Sequence, residues 1–199
     1  MNIKLRDTVE AYRTELQQGE REELEFFEHL SSLKKVIDKA GLAEDRNCKR
    51  YSHQYRLKKL ALEKGRDALL QVKASIENAR NFDELHRVVE NAVQSIHGIG
   101  ELYTYDTALR ISAHLKCLPG KVYLHAGTRV GARALNITGK GPLRMENLPP
   151  ELKGLEPHEV ENVLCLYANH LRHAYSGNGN CSSRRNGGCV PKATRRKIC

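Results

Sequence analysis

The chain has 199 residues, a formal net charge of +9, and 40% hydrophobic against 29% charged residues. Those figures fit one folded globular domain and argue against a disordered chain, and no apolar run reaches the roughly 18 residues a membrane span needs. The start, Met1-Asn2-Ile3-Lys4-Leu5-Arg6-Asp7, lacks the apolar core of a secretion signal, so a cytoplasmic protein with no membrane partner is expected.

The charge is unevenly spread. Residues 1–40 hold 7 Lys/Arg and 9 Asp/Glu, residues 41–175 hold 20 and 15, and residues 176–199 hold 6 and none. A basic body and tail point to a polyanion such as DNA, and the pattern does not separate DNA from RNA. Of the six cysteines, Cys181, Cys189 and Cys199 are spaced too widely for a zinc knuckle. Cys117 and Cys165 lie among apolar residues and read as small core side chains. No metal, no cofactor and no disulfide framework is expected.

Hydrophobic periodicity predicts helix along most of the chain. Phe26, Phe27, Leu30, Leu33, Ile37 and Ala40 share one helical face, with Gly41 as the stop. The stretch Lys49-Arg50-Tyr51-Ser52-His53-Gln54-Tyr55-Arg56 follows. Its cations suit phosphates, Tyr55 suits base stacking, and His53 or Gln54 suit base edges. The competing reading is a polar connector whose tyrosines pack inward. A helix over about 57–79 comes next. Leu85, Val88, Val89, Ala92, Val93 and Ile96 then fall at i, i+3, i+4, i+7, i+8 and i+11, with Asn81 or Asp83 as cap.

Gly98-Ile99-Gly100 joins that helix to another over about 101–116. Two glycines allow a tight turn, Ile99 can plug the groove between the helices, and the second helix starts with unpaired N–H groups that suit a phosphate. Glu101 stands at the mouth of this turn, where a cation would help more. Tyr103, Asp106, Thr107, Arg110 and His114 share one face of the second helix. An i,i+4 ion pair between Asp106 and Arg110 is the plain structural reading of that face.

Downstream, the segment Val122 to His125 is predicted as extended and delivers His125 to a Gly127-Thr128 turn. The turn opens a helix carrying Arg129 and Arg133, which is either a second anion site or a close helix contact permitted by glycine. Gly139, Gly141, Pro142, Pro149 and Pro150 mark 137–150 as loop, and Pro157 opens a last helix with Val160, Val163, Leu164, Tyr167 and Leu171 on its apolar stripe. The fold expected is mostly α: a single-domain helical bundle over 1–175 with a central helix-hairpin-helix at 84–116. Residues 176–199 are expected to be a disordered basic tail.

Residues 84–116 resemble the helix-hairpin-helix motif of DNA repair and replication proteins, through Gly98-Ile99-Gly100 between two helices. Asp106-Thr107-Ala108-Leu109-Arg110-Ile111 is similar to the D-T-x-x-x-R-[VI] segment of helix-hairpin-helix DNA glycosylases. The resemblance implies hydrolysis of the N-glycosidic bond of a damaged or modified base, in repair or antiviral defence. Asp106 would be the catalytic carboxylate, and Tyr103, Arg110 and His125 would line the pocket. Glu101 and Leu102 stand where lyase-type members place a lysine, so the implied enzyme is monofunctional. The family's aspartate lies beyond a further helix and loop, whereas only residues 101–105 separate Gly100 from Asp106. Two other functions fit the same residues: a non-catalytic DNA- or RNA-binding module, and an adaptor that docks a protein through its acidic N-terminal helices. Nucleotide chemistry at Thr128-Arg129 lacks a P-loop. The oligomeric state is not encoded in any of these features.

Overall fold

A computed structural model describes residues 3–139 and 141–175. The expected basic tail lies outside them. The described residues are mostly helical, and their only β pairing is isolated bridges, Glu44 with Arg50 and Val122 with Leu143. The extended segment expected at 122–125 is therefore a single rung rather than a strand of a sheet.

The first helical stretch comprises α1 (Ile3–Tyr12), a π-helical turn (Arg13–Gln17) and α2 (Gln18–Glu28). Then come α3 (Leu33–Gly41), α4 (Lys59–Gln71), α5 (Lys73–Glu77), α6 (Phe82–Val93) and α7 (Glu101–Leu115). The chain closes with α8 (Ala126–Ala134), α9 (Pro157–Leu166) and α10 (Ala168–Tyr175).

The apolar face expected over 26–40 is divided between α2 and α3. Ser32 adopts an extended backbone, φ −163°, and its hydroxyl accepts the Lys35 N–H at 3.4 Å. A local cap at Ser32 thus starts a new helix inside the periodic stretch. The 57–79 helix is also divided, at Val72, where φ is −98° and ψ 16°. Asn81 caps α6 as expected, its Oδ1 accepting the Glu84 N–H at 2.9 Å. Pro157 occupies the first turn of α9, also as expected.

These helices enclose two apolar cores. The first gathers Phe27, Val36, Ile37, Leu62, Leu69, Leu85, Val89 and Ile111 from α2 to α7. The second gathers Leu5 and Val9 of α1 with Leu152, Val160, Val163, Leu164 and Leu171 from the C-terminal part. The opening helical stretch therefore belongs to both, with its π turn between them. Helix α7 is buried along most of its length and packs on α2, α3 and α6. Helix α8 packs on α9 and α10. Gly131 makes that approach possible, since a Cβ there would sit 2.0 Å from the Leu164 carbonyl oxygen. The glycine-permitted helix contact is thus realised at the α8 end of the Gly127–Arg133 segment.

Candidate functional site

Polar side chains line the seam between the two cores. Tyr12 donates to Glu20 at 2.9 Å, Asn162 of α9 donates to the same carboxylate, and Arg21 and Gln17 donate to Glu159 at 2.8 and 2.9 Å. Further along α2, Glu23 accepts from Arg110 of α7 at 3.2 Å. Arg110 is buried, lies 3.8 Å above the Tyr51 ring, and donates to Gln54 at 3.2 Å.

Asp106 sits one helical turn before Arg110. Its Oδ2 accepts from His53 Nε2 at 2.7 Å and from Gln54 Nε2 at 2.8 Å, with Arg110 Nη2 at 4.0 Å. The connector that reads as a basic patch in the sequence thus delivers two side chains inward on a short 3₁₀ turn, Ser52–Gln54. Burial pushes the Asp106 carboxyl up. The hydrogen bond and charge of His53, with the charges of Arg110 and His125, outweigh that and hold it below the usual carboxylate range. Asp106 is ionised at neutral pH, and its side chain is 13% exposed against 27% for His53.

His125 lies on the other wall of the seam, at the N-cap of α8. Its ring centroid is 6.1 Å from that of Tyr105, the neighbour of Asp106. Its Nε2 donates to Glu161 of α9, and Thr128 Oγ1 donates to the same oxygen at 3.3 Å while accepting the His125 N–H at 3.3 Å. Burial lowers the affinity of His125 for a proton, but the Glu161 hydrogen bond and charge, helped by Asp106, leave its pKa raised. Asp106 and His125 therefore share one electrostatic environment across the seam.

Among the described residues, the buried Tyr105 hydroxyl, beside Asp106, has no hydrogen-bond partner. Native proteins rarely leave such a group unpaired.

The structure distributes the other expected site residues as follows. Tyr103 serves the first core: its hydroxyl donates to the Gly41 carbonyl at 2.8 Å, and burial pushes its pKa up to about 12. Arg110 braces Asp106 rather than lining an open pocket. Gln54 and Thr128 are buried within the two hydrogen-bonded groups, so their polar atoms face protein. Arg50 donates to the Leu57 carbonyl at 2.9 Å. Lys49, Arg56 and Arg133 are exposed. Tyr55, directly after Gln54, is 75% exposed.

In the connector 94–100, Gly98 has φ +93°, the left-handed region that favours glycine, while Gly100 is extended at φ −130° and caps α7. Ile99 packs against the first core. Glu101 at the mouth is paired with Arg129 of α8 at 2.5 Å. The start of α7 and the first turn of α8 are thereby tied by one ion pair.

Glu23 and Glu161 carry this site and escaped the sequence reading. Glu23 lies in an acidic run with nothing to distinguish it. Glu161 had a signal: a carboxylate set directly between Val160 and the apolar run Val163-Leu164. The donor atoms of His125, Glu161 and Cys165 lie within 4.8 Å of one another. Cys165 is disulfide-bonded, however, which removes the thiolate a metal would require. Cys117 is half-buried with a free thiol.

No family model, curated protein or solved structure matches the chain.

Proposed function

We propose that the protein binds DNA and hydrolyses the N-glycosidic bond of a damaged or modified base, with Asp106 as the catalytic carboxylate. The observation that carries this reading is an ionised carboxylate held in place by His53, Gln54 and Arg110 in the seam between two cores. Breaking the bond between base and sugar leaves positive charge on the deoxyribose C1′ and ring oxygen. A fixed anion beside that charge lowers the barrier, because its dipolar and charged neighbours are already oriented. The same carboxylate can take a proton from the water that attacks C1′.

Base chemistry of this kind requires the nucleotide to leave the stack. The exposed Tyr55, with Arg56, Lys58 and Lys59 beside it, offers a stacking face and phosphate partners next to the carboxylate. The α6–α7 connector offers backbone N–H groups at the start of α7 for a further phosphate. Whether this activity serves repair or antiviral defence depends on the base removed.

The experiment is base release from a panel of duplex and single-stranded oligonucleotides containing damaged and hypermodified bases. Release by the wild type, lost in Asp106→Asn while DNA affinity persists, is the expected result. Salt-dependent binding with no base released from any oligonucleotide would leave the non-catalytic binding module as the better reading.

A further inference from the structure

Resting on the glycosidic-bond reading, a second requirement of the chemistry can be assigned. When the C1′–N bond breaks, its electron pair stays on the departing base, and most bases leave readily only if a proton arrives with the break. Asp106 is an anion and has no proton to give. Arg110 is buried, does not deprotonate in proteins, and is engaged by Glu23 and Gln54. His125 is buried with its Nε2 on Glu161. Gln54 carries no transferable proton.

His53 is different. Its Nε2 is fixed on Asp106 at 2.7 Å, and its ring stacks on Tyr51 with centroids 5.8 Å apart and planes at 29°. It is also the more exposed member of the pair. Its Nδ1 has no hydrogen bond to the described residues. Around the pair lie the charged and titratable groups Arg110 and Tyr105 from α7, Glu23 from α2, Tyr51 from the connector and His125 from α8. We propose that His53 is the general acid of the reaction, giving a proton from Nδ1 to the departing base while Nε2 stays bonded to Asp106.

The step balances. The C1′–N bond breaks with its electron pair going to the base, which gains the Nδ1 proton. Water adds to C1′ and gives a proton to Asp106. Solvent then takes that proton and restores the one on His53, so the net change is addition of one water. His53 was expected from the sequence to read a base edge, and this assignment places it in the chemistry.

The test uses the full chain and whichever base the wild type releases, in single-turnover assays. His53→Gln keeps a side-chain N–H for Asp106 but cannot carry the proton, whereas His53→Ala loses both. The expected result is a loss of about 100-fold in both variants at unchanged DNA affinity. The wild-type rate should also fall toward alkaline pH, a limb absent in His53→Gln, and added imidazole should restore part of the His53→Ala rate. A His53→Gln rate near wild type overturns the assignment, because it shows that His53 acts only by holding Asp106. Equal losses with an unchanged pH profile and no imidazole rescue overturn it as well. If the wild type releases no base from the whole panel, the glycosidic-bond reading itself fails and the assignment falls with it.

Discussion

Asp106 shows how much work surrounding charge does for one carboxylate. Asp106→Asn keeps the shape but removes the anion. We expect at least about 100-fold less base release with near-normal binding, measured by single-turnover assay and by fluorescence anisotropy. Arg110 is the reverse case, since its removal strands Glu23 and Asp106 in the seam. Arg110→Ala should cost roughly 3–5 kcal/mol of stability, read from urea unfolding midpoints. The His125–Glu161 pair has a pH signature of its own. Because the folded-state pKa of His125 is raised, the pair's contribution is whole below the ordinary histidine value of about 6.5 and is lost as pH climbs through the raised folded value. Asp106, with a lowered pKa, contributes above the ordinary aspartate value of about 3.9 and loses that contribution as pH falls through its depressed one. Urea unfolding across pH should show the upper dependence weakened in His125→Gln and the lower one weakened in Asp106→Asn. An unchanged upper limb in His125→Gln would refute the buried ion pair.

At the scale of elements, two glycines do different jobs. Gly98 is a conformational requirement, with φ +93° and nothing near its missing Cβ. Gly98→Ala therefore strains the connector without a clash, and a cost of about 1 kcal/mol is expected. Gly131 is a packing requirement, because a Cβ would strike the Leu164 carbonyl at 2.0 Å and the obstacle is backbone. Gly131→Ala should cost about 3 kcal/mol, at the upper end for overpacking, as α8 and α9 are forced apart. Thermal unfolding of the two variants separates these roles, with the larger loss at Gly131. Helix α6 was legible because its cap and its apolar period agree. The break at Ser31-Ser32 was not, because Phe26 and Leu33 remain in helical register across a cap that interrupts the helix.

Over the whole molecule, the two cores meet along a polar seam, while the connector and α8 present exposed cations such as Lys49, Arg56 and Arg133. If these surfaces grip a phosphate backbone, the affinity for DNA must fall steeply with salt. A linear log–log plot with a slope of about −0.9 per phosphate neutralised is expected on duplex DNA. Arg133→Ala and Lys49→Ala should each reduce the slope by about one where the residue meets a phosphate. An affinity indifferent to salt would remove the electrostatic basis for a nucleic-acid partner.

By itself the sequence determined the helical class, a cap at Asn81 or Asp83, the proline start of α9 and the α6–α7 connector, since each depends on neighbours within one or two turns. It also brought Asp106, His53, Gln54, Arg110 and His125 to notice, though in separate roles. Only the tertiary structure decided that they form two facing groups, that Glu23 and Glu161 complete them, and that Tyr103 belongs to the core. Hydrogen bonds between residues 53 and 106, or 125 and 161, join elements whose approach is set by burial of apolar faces. No local pattern records which polar groups that burial will bring together.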